Sequence, residues 1–140
     1  MEQSIEKLHF TFMNYLKQNG ESGSSWSYAH GYCMIYAYAF SLILDKTKIP
    51  YKLCNFFCKS KNNGHVFFKI KLDRNHVYFD SENTSTMVSN WRKLSPSYKH
   101  VPTHYKVLKR ESMIKKWGYD KNPELIKIKQ LTELFITNYI

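Results

Sequence analysis

At 140 residues, with 43% hydrophobic and 16% aromatic content, the chain is long and apolar enough for one domain with its own core, which excludes a disordered polypeptide. A net charge of +10 and a pI near 9.5 favour acidic partners. Three cysteines, and an N-terminus where Glu2 and Glu6 interrupt any apolar leader, point to reduced thiols in a cytoplasmic compartment, with delivery into another cell left open.

Ile5, Leu8, Phe12, Tyr15 and Leu16 recur at helical spacing and predict an amphipathic helix over residues 3–18, closed by Asn19-Gly20. Its role is to cover the core, and His9 is given no catalytic part. A turn-rich run from Gly20 leads to Ser25-Trp26-Ser27-Tyr28-Ala29-His30-Gly31. From Tyr32 to Leu44 thirteen residues are almost all apolar, with no stripe, as in a helix buried on every side. The run is too short and too aromatic to span a bilayer, so no membrane is expected. Cys33 falls on the first turn, where unpaired N–H groups and the helix dipole favour a thiolate.

Pro50 blocks helical continuation, and Tyr51 to Cys58 reads as a strand. His65 to Leu72 is the clearest strand: Val66, Phe68, Ile70 and Leu72 share one face, opposite His65, Phe67, Lys69 and Lys71. After a turn at Asp73-Arg74-Asn75, His76 to Asp80 returns. Cys33, His65 and Asp80 thus follow one another on helix, strand and strand, an ordered catalytic triad. Register decides whether it can assemble. If Leu72 faces Asn75, then Phe67 faces Asp80, and Asp80 lies diagonal to His65 on one face. If Leu72 faces His76, Asp80 points away unless a bulge intervenes.

These residues carry a resemblance. Gly31-Tyr32-Cys33-Met34-Ile35-Tyr36-Ala37, Ile49-Pro50-Tyr51, Gly64-His65-Val66-Phe67-Phe68 and Tyr78-Phe79-Asp80 resemble the ordered motifs of the papain-like and transglutaminase-like cysteine enzymes, over residues 25–83. The resemblance implies Cys33 as nucleophile, His65 as general base and Asp80 as the group orienting it. It leaves protease, deamidase and transglutaminase-like chemistry all open. Papain-like relatives carry a Gln six positions before the Cys; this chain has Ser27 there. Trp26, Ser27 and Tyr28 are the candidates for the oxyanion site and the lining of the mouth. His30 is a competing base.

Residues 81–104 are rich in Ser, Thr and Pro and are expected to be mostly loop, with a short helical turn near Val88 to Arg92. Tyr105 to Leu108 suggests an edge strand. Asn122-Pro123-Glu124 is a helix start, with Leu125, Ile128, Leu131, Leu134, Phe135 and Tyr139 as its apolar side. After residue 90, eleven Lys and Arg oppose four acids, so +7 of the charge lies in a basic C-terminal extension, 91–140. Lys109, Arg110, Lys115 and Lys116 are its candidate partner-binding residues.

Two other readings use the same residues. Cys54, Cys58 and His65 are zinc-ligand types, but sulfurs four residues apart on a strand stand roughly 13 Å apart, so no metal is expected. The second is a non-enzymatic basic module that binds nucleic acid or an acidic protein through Lys and aromatic residues, although no nucleic-acid motif is present. The expected fold is α+β, a papain-like or transglutaminase-like core in which a Cys-bearing helix packs on an antiparallel sheet. Residues 1–140 form one catalytic domain with its core in 25–83. It is expected to be a monomer without cofactors that acts on an acidic protein or amide substrate.

Overall fold

The computed structural model describes residues 2–19, 33–58, 63–72, 75–79, 84–85, 106–116 and 118–140, with the backbone alone at 2–4, 33, 56–58, 63–65, 72, 75 and 84–85. In chain order the elements are α1 (Glu2–Gln18), α2 (Cys33–Lys46), β1 (Tyr51–Cys58), β2 (Asn63–Leu72), β3 (Asn75–Phe79), β4 (Thr84–Ser85), β5 (Lys106–Leu108), α3 (Arg110–Lys116) and α4 (Pro123–Tyr139). The fold is mixed α+β: helices pack on one face of an antiparallel sheet of order β4-β3-β2-β1-β5. Both edge strands are very short, which limits the open backbone they offer to another chain.

The uniform apolarity of α2 matches its central position. Its residues from Met34 to Leu44 are buried, apart from half-buried Leu42. Phe40 is fully buried against the rings of Phe12 on α1, Phe68 on β2 and Phe79 on β3. The facing sheet surface is Leu53, Val66, Phe68, Ile70, Val77 and Phe79, the alternate residues of three strands. On α1 the buried positions are Ile5, His9, Phe12 and Leu16, one helical stripe. Phe12 and Tyr15 join it to Phe135 of α4, with ring centroids 5.2 and 5.4 Å apart.

α2 ends in a Schellman-type turn: Lys48 N–H donates to Asp45 C=O and Ile49 N–H to Leu44 C=O. Lys48 occupies the left-handed position, φ +59°, where glycine is the usual residue. α3 closes in the same way, with Gly118 at φ +69° and Tyr119 N–H donating to Ile114 C=O at 2.8 Å. The sequence pattern did not reveal this helix, whose seven residues include only two that are buried, Met113 and Ile114.

α4 begins as its sequence indicates. Asn122 caps it, accepting from Glu124 N–H at 2.8 Å, and Pro123 opens the first turn. Its apolar side needs one correction. Leu125, Ile128, Thr132 and Phe135 are the buried residues, whereas Leu134 and Tyr139 are more than half exposed. Nine residues separate Leu125 from Leu134, two and a half turns, which sets them on opposite sides of the helix. Thr132 replaces Leu in the stripe because its hydroxyl bonds back to Ile128 C=O at 2.6 Å and leaves no unpaired polar group.

Candidate active site at the start of the core helix

The first residue of α2 is Cys33, and no acid stands in that first turn to oppose a thiolate. The short connection from Lys46 to Tyr51 turns the chain back, so α2 runs antiparallel to β1 and alongside β2. Its C-terminal end is pinned to the start of β1, because Tyr51 Oη donates to Asp45 Oδ1 at 2.8 Å. Tyr51 pairs with Ile70. From Asp45 back to Cys33 the helix extends about 18 Å. From Ile70 back to His65 the strand extends about 17 Å. The two backbone positions therefore lie toward the same end of the helix–sheet sandwich. Tyr36, one turn beyond Cys33, meets Phe68 and Phe79 with ring centroids 6.5 and 6.3 Å away.

The β2–β3 ladder pairs Leu72 with Asn75 and continues to Phe68 opposite Phe79. This is the first of the two registers weighed from the sequence. His65 is within β2, opposite Phe56. Asp80, Trp26, Ser27, Tyr28, His30 and the expected turn at Val88 to Arg92 lie outside the described residues.

The basic residues proposed for partner binding divide. Lys109, Lys115 and Lys116 are exposed. Arg110 is engaged within the fold: its guanidinium bonds Asp45 Oδ2, Tyr51 Oη at 3.3 Å and Ser41 Oγ at 3.3 Å, and its Nε faces Glu111 Oε1 at 3.6 Å. It ties α3 to the end of α2 rather than waiting for a partner. Burial, then the bond and charge of Asp45, push the Tyr51 hydroxyl up to about 12.

Two titratable groups to which the sequence assigns no functional part lie in the interior. His9 shares a hydrogen bond of 2.7 Å with Tyr36 Oη and is ringed by Phe10, Phe40 and Phe79. The available signal was its position four residues after Ile5 on the apolar stripe. Cys54 is fully buried on the sheet face away from α2, and burial pushes its thiol up to about 12 against the opposing charges of Lys69 and Lys52. That thiol is a poor nucleophile.

No family model, curated protein or solved structure matches this chain. Among the described residues, no helix is long and apolar enough to cross a membrane.

Proposed function

We propose that the chain is a thiol-dependent acyl-transfer enzyme with a papain-like or transglutaminase-like core, acting on a protein or amide substrate through Cys33, His65 and Asp80. The observation that carries this reading is the position of Cys33 at the N-terminus of a helix buried on every side, at the end of the sandwich toward which His65 lies. A thiolate there is favoured by the unpaired N–H groups of the first turn. The register of β2 and β3, with Leu72 opposite Asn75 and Phe68 opposite Phe79, is the one this reading requires. Backbone position 65 falls in the alternation series of Phe67 and Lys69, whereas α2 lies on Val66, Phe68 and Ile70. The reading therefore requires the thiol to meet the imidazole at the end of the ladder, not across its middle.

In the proposed reaction Cys33 gives its proton to His65 and attacks the carbonyl carbon. The imidazolium then protonates the leaving amine as the C–N bond breaks, which leaves a thioester on Cys33. Water or an amine gives a proton to His65, takes the acyl group from the thioester, and the thiol is restored. Asp80 holds the ring in one tautomer. Such a thiol needs a reducing compartment, consistent with cytoplasmic location.

The test is the pH dependence of Cys33 alkylation by iodoacetamide, with His65→Ala and Asp80→Ala beside it. A thiol titrating well below roughly 8.5, and returning to that value without His65, is expected. An inert Cys33, or one indifferent to His65, would reject the triad.

A further inference from the structure

One polar ring interrupts the buried stripe of α1, Ile5, His9, Phe12 and Leu16. Taking an imidazole out of water costs free energy that an apolar residue at position 9 would not incur. The buried polar residues among those described are His9, Ser41 and Thr132. The two hydroxyls donate to carbonyls of their own helices, so local backbone accounts for them. His9 differs, because its Nδ1 bonds across the core to Tyr36 Oη, 27 positions away, at 2.7 Å.

Tyr36 completes the first turn of α2, three residues from Cys33, and residues three apart are neighbours on a helix. The same imidazole meets the ring of Phe79 edge to face, with centroids 5.5 Å apart. Phe79 is the last residue of β3, and Asp80 follows it in the chain. One α1 side chain therefore touches both the turn that Cys33 opens and the strand end before Asp80. The Tyr36 ring is stacked on Phe40 at 5.5 Å, and the bond to His9 adds a set length and direction to that packing. A satisfied buried pair of this kind holds one arrangement of the core.

We infer, on the reading of Cys33 as the nucleophile, that His9 is a positioning residue: its bond to the Tyr36 hydroxyl fixes the first turn of α2 against the end of β3. The placement matters because a shift of about 1 Å between reacting groups can cost about a hundredfold in rate.

The experiment is the pH profile of Cys33 alkylation by iodoacetamide, read by peptide mass spectrometry, beside thermal unfolding of each variant. Tyr36→Phe deletes one oxygen and should move the Cys33 titration up toward roughly 8.5, slowing alkylation at about pH 7 by about tenfold. His9→Leu/Tyr36→Phe removes both polar groups and leaves neither unpaired, so it should recover the stability that the single variant loses. Its Cys33 should nevertheless stay slow, because the directional bond is still missing. If labelling instead recovers together with stability, the pair is structural only and the inference is overturned. It is equally overturned if both variants label Cys33 as the intact chain does while His65→Ala still shifts the titration; the triad then stands without His9. A Cys33 that in the intact chain already titrates near roughly 8.5, indifferent to His65, removes the triad and the role of His9 together. The double variant carries the test if circular dichroism shows that Tyr36→Phe does not fold.

Discussion

Raising the pH from about 7 toward 11 should ionise an open cysteine while Cys54 of the folded chain keeps its proton. Cys54 is fully buried beside its cross-strand neighbours Phe67 and Val107, and its Sγ has only a weak contact, 3.8 Å from Lys52 C=O. Burial lifts the thiol from 9.0 to about 12. At any pH below 9 the thiolate fraction is then about a thousandfold lower than that of an open thiol. Alkylation, which follows the thiolate, should slow by about the same factor. The assay is timed iodoacetamide labelling at pH near 8 with peptide mass spectrometry, the urea-unfolded chain providing the reference. The same shift makes stability depend on pH. Because the native pKa is raised, this contribution is complete below about 9 and is lost as pH rises from 9 through 12, with a limiting slope of about 1.4 kcal/mol per unit. Tyr51 adds a smaller loss between 10 and 12, reduced because solvent reaches its partner Asp45. Labelling of Cys54 within about tenfold of the unfolded rate, while core amides stay protected from exchange, would refute the burial argument.

Lys48→Gly should stabilise the chain, because a side chain in the left-handed region costs about 1–2 kcal/mol and glycine returns part of that as unfolded-state entropy. A net gain of about 0.5–1 kcal/mol should raise the urea midpoint at constant slope; a lower midpoint contradicts it. Asp45→Asn should move the Tyr51 hydroxyl from about 12 back toward 10 and cost about 1 kcal/mol through the lost pairing with Arg110. Ring NMR of Tyr51 across alkaline pH reads the first effect, and an unmoved titration would show that burial alone holds the proton. Phe40→Ala should cost about 3–5 kcal/mol by thermal unfolding, since the ring fills the space between α1, α2 and the sheet. A loss below about 1 kcal/mol would contradict its central position.

Local patterns carried most of the secondary structure. The apolar run to Leu44 marked a helix buried on every side, and Asn122-Pro123 marked a start that the backbone confirms. Val66, Phe68 and Ile70 alternate as a half-buried strand must. Part of the candidate site was legible in the same way: Cys33 at the head of α2 and His65 in a strand follow from residue order. Two registers were consistent with the sequence around residues 72–76, and only the folded ladder selects Leu72 opposite Asn75. α3 escaped notice because a helix of two turns with two buried residues shows no measurable period.

The sequence by itself determined which segments turn apolar faces inward, because helix and strand periods are properties of neighbouring residues. The tertiary structure alone decided which polar groups find each other. Arg110 reads as one more cation in a basic tail until packing brings it to Asp45, 65 positions away. His9 is one polar residue on an apolar stripe until Tyr36 meets it across the core. Cys54 and Cys33 are the same residue type in the chain, and only the sheet shows that Cys54 is sealed in. The physical reason is that burial and pairing are set by non-local contacts. Those contacts, more than residue type, fix the energy of a charge or a proton.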